Sequence, residues 1–489
     1  MLGQTRPTGR PRRLTVAVRQ VSRAGCGTGA RHTEERSRPV IDISQSVVQD
    51  RAVTKPESPA VPTGARTSLL RHRDFRFLWM GDTVSVFGVQ FVGFAMPLVA
   101  VQVLHADEFQ MGILGALETL AFLLISLPAG AWVDRWRKKR VIVVGDLSRA
   151  ALLLTIPLAF LGGVLSMWQL YVVAFLVGCI TVFFDVANQS YLPEIVDGPQ
   201  IADGNSKLQA SQQTAAVAGP ALGAWLVRAV GSPLAIGVTA VCMALSSLFV
   251  SRIAHEETPP DKENRPPLVS QVKEGLAFVV GHPLLRRIAL CTGTSNFASS
   301  AGFALYVIYV VRTLDFSEVV LGTLWSIAAV GGILGALGAG FVARFVGEGR
   351  AIPIGALLCG VACFAWPLAS YLAALPTLYV GGFLIGIGTV LYNVVQVSFR
   401  QRLCPKPLLG RMNASMRFLV WGPMPIGALV GGFLGREIGI VPTLWIICTI
   451  WLLAAVPVVF SPLIGMRDLP VHLDALAAAS AQEPDTTAP

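Results

Sequence analysis

The chain has 489 residues, 53% of them hydrophobic and only 14% charged, where soluble domains carry about 25% charged residues. Of the net charge of +10, +9 falls in residues 1–73, which hold thirteen Arg and one Lys against five acids. This balance excludes a soluble globular enzyme and gives no basic folded surface for nucleic acid; it points to a polytopic membrane protein.

Residues 1–73 are rich in Arg, Pro, Gly, Ser and Thr, with no apolar period and no signal-peptide core, and read as a disordered basic cytoplasmic tail. From about Phe75 to Ile464, apolar segments recur that are long enough to cross a hydrocarbon layer of about 30 Å as helices. The breaks between them predict twelve spans, numbered 1 to 12, near 76–103, 110–132, 141–163, 167–190, 207–229, 231–252, 285–311, 319–343, 351–371, 375–398, 413–435 and 440–465. The expected fold class is an all-α integral membrane protein of twelve transmembrane helices. Its expected parts are a first six-helix bundle at 74–252, a cytoplasmic linker at 253–284, a second bundle at 285–466, and a disordered tail at 467–489.

One set of span ends carries Arg71, Arg73 and Arg76, then Arg135, Arg137, Lys138, Lys139 and Arg140, then Arg286, Arg287, Arg344, Arg350, Arg400, Arg411 and Arg467. The opposite ends hold only Arg228, Arg312 and Arg436. The bias of bases toward the cytoplasm puts the first set, and both termini, on that side of a plasma membrane. In the linker, SRIAHEETPPDKENRPP (251–267) is polar, and Val269, Val272, Leu276 and Val279 then recur at helical spacing. Lys273 and Glu274 lie off that face, so a short amphipathic helix on the membrane surface is expected.

The two halves repeat one another. At an offset of 208, LYVVAFLVGCITVFFDVANQS (170–190) overlays LYVGGFLIGIGTVLYNVVQVS (378–398), and Asn205, Gly219 and Gly223 fall on Asn413, Gly427 and Gly431. At an offset of 210, residues 111–134 overlay 321–344, and both copies carry two Gly eighteen residues apart. Two six-helix copies suit a site at their interface that faces each side in turn, which implies a transporter.

Acids inside spans are functional candidates because each costs about 2.5–3.5 kcal/mol or more at the bilayer centre. Asp82 falls in the cytoplasmic third of span 1, on one face with Ser85, Gln90 and Gly93. Glu118 is eight residues into expected span 2, roughly 12 Å deep at about 1.5 Å per residue. Each reads either as a proton carrier or as a hydrogen-bonded structural acid. Asp146 and Arg149, three apart in span 3, predict an intrahelical ion pair. Thr181, Asp185 and Asn188 form a polar stripe on span 4, matched by Thr389, Asn393 and Gln396 on span 10, with Asn296 in span 7. Phe87, Phe91, Phe94, Phe297 and Tyr306 offer either an aromatic cavity or packing. Gly219 and Gly223 permit a close helix approach, and Pro220 bends span 5. The cysteines, Cys359 and Cys363 among them, show no metal-ligand spacing, and no HExxH, GxSxG or P-loop pattern occurs, so no metal, cofactor or catalytic residue is expected and the chain reads as a non-enzyme.

Three features make the chain resemble the major facilitator superfamily over residues 74–466. Gly130, Asp134, Arg135 and the bases that follow, in GAWVDRWRKKR (130–140), resemble the G-x-x-x-D-R-x-G-R-[RK] signature between spans 2 and 3, with Arg137 where the family has Gly. AAVAGPALG (215–223) resembles the Gly-Pro signature of exporters in span 5. NSKLQASQ (205–212) and MRFLVWGPMPIGALVGG (416–432) resemble the branch of enterobactin and macrolide efflux proteins. The resemblance implies a monomeric exporter of a drug, siderophore or secondary metabolite in the bacterial inner membrane, exchanging protons for its small-molecule substrate. It further implies that spans 4 and 10 line the cavity. Lys138 and Lys139 would flank a gating loop in which Asp134 latches the outward-facing state against the start of span 11, near Asn413. The exporters' usual span-4 Arg is missing from residues 167–190, so a facilitator, or an importer, stays open, as does a receptor of the same fold.

Overall fold

The structure, a computed structural model, describes residues 69–133, 136–196, 198–255, 257, 268–404 and 409–466. Both tails and most of the linker, with Asp134 and Arg135, lie outside the described residues.

Every described element is helical. In the first half, span 1 runs Arg73–Val103, span 2 Glu108–Val133, span 3 Lys138–Leu161, span 4 Met167–Ile195, span 5 Gly198–Val230 and span 6 Ser232–Ser251. In the second, span 7 runs Pro283–Thr313, span 8 Glu318–Val346, span 9 Glu348–Leu368 and span 10 Ala374–Leu403. Span 11 runs Arg411–Ile438 and span 12 Ile440–Val459. Among the described residues, eleven of these helices are long and apolar enough to cross a membrane; span 5 is the twelfth helix. It starts at Gly198, well before the expected 207, because its first turns are polar and escape a reading based on apolar runs. What holds those turns is packing: Gly204 seats against Leu192 of span 4 and Phe75 of span 1.

Large apolar side chains such as Leu158, Leu337, Phe345, Val361 and Phe433 are exposed on the helix bundle, the surface a lipid solvent leaves on a membrane protein. Trp168 and Tyr371 stand exposed at one end, Trp132 and Trp136 at the other, where amphipathic rings favour the headgroup layers.

The repeat goes deeper in the backbone than in the letters. Spans 1 and 7 both begin under a histidine cap: His72 accepts a hydrogen bond from the Phe75 amide, and His282 accepts from Leu284 and Leu285. Burial lowers the pKa of His282, which keeps its imidazole an acceptor. The same two spans end in π-helical turns, Val99–Val103 and Tyr309–Thr313, followed by residues at positive φ, His105 (52°) and Asp315 (53°). Spans 6 and 12 both start after a glycine at positive φ, Gly231 (86°) and Gly439 (87°), where a side chain would be strained.

The short helix Leu268–Gly281 forms where the amphipathic pattern predicts one. It is also docked: a Cβ on Gly275 would lie 2.4 Å from the Arg411 carbonyl oxygen, and Val279 is fully buried in the core of the second half.

Candidate functional site

The halves touch at the span ends away from the bases. A Cβ on Gly112 of span 2 would meet the Ala428 carbonyl at 2.7 Å and Gly432 Cα of span 11 at 2.9 Å. A Cβ on Gly322 of span 8 would meet Ala224 Cβ at 2.5 Å and the Pro220 carbonyl of span 5 at 2.7 Å. Phe94 and Trp325 complete the seam edge to face, their rings 5.5 Å apart.

Among the described residues, one side chain is seen to cross this seam by hydrogen bonds. Arg312, in the π-turn that ends span 7, donates to the Ala106 and Val101 carbonyls at 2.7 Å each. Val101 lies in the π-turn that ends span 1 and Ala106 in the loop just after it, where carbonyls have no following turn to bond. Each such charge-assisted bond is worth about 1.5–3 kcal/mol. Arg312→Gln is therefore expected to widen this end; spin labels on Val164→Cys and Leu372→Cys, exposed loop sites in opposite halves, would show a longer distance population that the parent protein lacks.

Toward the basic ends, the halves part around a cavity of about 1000 Å³. Its second-half wall includes Asn296, Thr389, Asn393, Gln396, Arg400 and Arg417; span 5 contributes Gln213 and Ala216. Asn296 donates to the Val420 carbonyl at 2.8 Å, tying span 7 to span 11. Gln396 donates to Asn393 at 3.0 Å, and Thr389 lies 3.3 Å from the Cys359 thiol.

The first half holds a buried polar network instead. Asp146 and Arg149 form an ion pair, and both are almost wholly buried. The Arg149 guanidinium also reaches Ser85 and Thr181, at 3.4 Å each, and lies 4.1 Å from the Phe184 ring centre. Asp82, 4% exposed, accepts from Asn188 at 2.6 Å, while its second carboxylate oxygen has no partner. Asp146 and Asp185 both act electrostatically on Asp82. Asp146 and Asp185 both lie within electrostatic reach of the Arg149 guanidinium, and Asp82 lies within reach of both acids. A second cavity of about 670 Å³ leads to Asp82 and Asn188 past Asn205 and Gln212.

The expected residues divide accordingly. Asn296, Thr389, Asn393 and Gln396 line the large cavity; Thr181, Asp185 and Asn188 do not line it, and Thr181 and Asn188 are engaged in the first-half network. Gln90 packs its stem on Gly219, where a Cβ would come within 2.6 Å. Phe91 and Phe94 pack on Gly223, and the Tyr306 ring lies tilted against Trp366, 5.1 Å between ring centres. Gly219 and Gly223 therefore join span 5 to span 1 of the same half, while the contact with the other half comes from Pro220 and Ala224. Glu118 shares a face of span 2 with Gly115 and Phe122, which touch Ala428 and Trp421 of span 11.

Gly130 lies in the last turn of span 2. Beyond Asp134 and Arg135, Lys138 pairs with Glu194 at the end of span 4, and Lys139 donates to the Ile253 carbonyl at 2.6 Å. Glu257 of the linker accepts from the Lys138 and Lys139 amides at 2.6 and 2.5 Å, a carboxylate cap on the positive start of span 3. Arg312 and Glu257 had only faint signals in the sequence: a base on the side where bases are scarce, and an acid in a polar linker.

Residues 78–428 match the family model described as Major Facilitator Superfamily. The chain is 28% identical over 369 residues to the multidrug efflux pump Tap of Mycolicibacterium fortuitum, covering 72% of this chain and 87% of that one. It is 24% identical over 360 residues to the enterobactin exporter EntS of Salmonella typhi, covering 71% and 82%. A bacterial homologue of the iron transporter ferroportin, 17% identical, superimposes with a TM-score of 0.65 in its inward-facing state, covering 80% of this chain and 98% of that one. In its outward-facing state the TM-score is 0.52, at 79% and 98% coverage.

Proposed function

The chain belongs to the major facilitator superfamily, and from that premise we propose that it exports a small amphipathic compound from a bacterial cell by alternating access, exchanging it for protons. The observation that carries this reading is the cavity, sealed at one end by the Gly112–Gly432 and Gly322–Ala224 contacts and open toward the basic ends. The bias of bases makes the open end cytoplasmic, with both termini on that side of the inner membrane, so the structure is inward-facing and ready to load cargo. The efflux names of the two relatives support the outward direction.

Export then needs the seam to open and the basic ends to close. In this reading Asp134 latches the closed cytoplasmic end near Asn413. Protons enter through the first half: Asp82 sits at the foot of a polar cavity, and Glu118 lies on the span 2 face turned to span 11. Proton uptake removes one negative charge from the neighbouring acids Asp82, Asp146 and Asp185, which changes what a span 1–span 4 contact such as Asp82–Asn188 contributes in each state. The absence of an Arg from span 4 favours a facilitator as the second reading.

One experiment separates the two. In everted vesicles, a substrate panel is tested with quenching of the pH gradient as the readout. Asp82→Asn combined with Glu118→Gln is expected to abolish uptake driven by the gradient while downhill substrate exchange continues. Undiminished gradient-driven uptake in that variant ends the proton role of both acids, and exchange without any proton movement in the parent protein establishes the facilitator.

A further inference from the structure

The charge on the cavity wall is one-sided. Arg400 and Arg417 line it, near the basic ends of spans 10 and 11, and no Asp or Glu lies among its lining residues. The two guanidinium groups are close enough to repel one another, and neither belongs to an ion pair among the described residues. Asp185, across the opening, is within electrostatic reach of Arg417 without pairing with it.

The same corner concentrates unmet hydrogen-bonding capacity. Arg400 Nε, Gln396 Oε1 and Asn413 Oδ1 are buried and have no partner, and all three residues line the cavity. Buried polar atoms are nearly always paired, so three in one corner mark a place where a ligand completes the bonding. The surrounding surface is aromatic: the Arg417 guanidinium lies 5.1 Å from the Trp421 ring centre, and Phe303 and Trp451 line the cavity further in.

Topology alone does not account for this. A base that only anchors a span end needs solvent or headgroups around it, as Arg402 has on the neighbouring turn, where it pairs with Glu348 at the surface. Arg400 faces inward and keeps a buried donor open.

We propose that this corner of the cavity is an anion subsite, and that the cargo is an aromatic organic anion whose carboxylate or phenolate is held by Arg400 and Arg417. The amides of Gln396 and Asn413 bond its neighbouring polar groups, and its ring lies against Trp421. The planar guanidinium fork matches a carboxylate in two bonds, while a cationic compound of the same shape meets two like charges. The proposal rests on the cavity being the export path, but its binding test does not depend on transport.

The test uses two probes of nearly equal shape and opposite charge, 1-naphthoate and 1-naphthylmethylammonium, titrated into the full-length purified protein with tryptophan fluorescence as readout. Naphthoate is expected to bind at least about tenfold more tightly than the cation. Arg400→Gln and Arg417→Gln are each expected to weaken naphthoate about tenfold or more, the Lys variants less, and Arg402→Gln not at all. Equal or tighter binding of the cation, or naphthoate affinity untouched in both Gln variants, overturns the proposal. The readings fail separately. Arg-dependent naphthoate binding with no compound transported sinks the exporter and leaves the subsite. Transport of cations that both Gln variants leave intact sinks the subsite and leaves the exporter.

Discussion

Arg149→Met is expected to be among the most damaging single changes in the chain, costing about 3–5 kcal/mol of folded stability and ending transport. The reason is what it leaves behind. Asp146 is wholly buried and paired with Arg149, so removing the guanidinium strands a carboxylate where neither water nor another cation reaches it. The same change deletes the contacts to Ser85, Thr181 and the Phe184 ring, which are how span 3 is registered against spans 1 and 4. Replacing both members of a buried pair by uncharged groups removes the stranded charge and is often close to neutral. Asp146→Asn/Arg149→Met is therefore expected to recover most of the thermal stability of the detergent-purified protein, read as Tm by size-exclusion of heated samples. Transport separates structure from coupling: if Arg149 balances the buried charge of Asp146 and Asp185, the double variant folds but does not exchange protons. A single Arg149→Met protein with parental Tm would show that the pair is no electrostatic keystone.

That network also explains why the site was only half legible in the sequence. The spans show up as apolar runs because lipid selects composition on every outward face. The repeat shows up because the two halves solve the same packing problem at Gly178 and Gly386, which seat span 4 on span 2 and span 10 on span 8. Side chains that act across helices leave no such trace. Spacing predicts Asp146–Arg149 because both residues lie on one helix. It does not predict Asp82–Asn188, which joins positions 106 residues apart, nor the seating of Gln90 on Gly219, which removes Gln90 from the cavity. Arg312 is the clearest case. In the sequence it is one stray base on the wrong side; its role depends on two carbonyls at the end of span 1, in the other half. The symmetric stripes on spans 4 and 10 mislead for the same reason. Their positions match at the offset of 208, with polar residues at each, yet span 10 turns them to a cavity while span 4 spends Thr181 and Asn188 on Arg149 and Asp82. The acid of the signature between spans 2 and 3, Asp134, lies outside the described residues, so its latch stands on the resemblance and on the positive start of span 11 that it would meet.

Gly432→Leu is expected to trap the protein open on the side opposite the bases, with transport reduced about a hundredfold or more. With the seam closed, as in this structure, there is no room for any side chain at this position: a Cβ would lie 2.6 Å from the Glu108 carbonyl and 2.8 Å from Gly112 Cα. Both contacts are backbone atoms of the opposite half, so no rotamer change relieves them. Once the seam is parted, the same Leu stands clear of span 2, and folding is not taxed in that state. Overpacking of this kind costs about 1–3 kcal/mol or more, and because it falls on one state alone, each ~1.4 kcal/mol moves the population tenfold toward the other. Ala304 reports the outcome. It is buried at the seam with Ala116 and Ala428, so Ala304→Cys is sealed from an impermeant maleimide while the halves touch. In the Gly432→Leu background that thiol is expected to label rapidly from outside the cell, whereas Gly338→Leu, at a position with nothing within 4 Å, leaves both labelling and transport as they were. Slow labelling together with intact transport in Gly432→Leu would mean that the halves do not need this contact to complete the cycle, and the seam would lose its standing as the gate that closes behind the cargo.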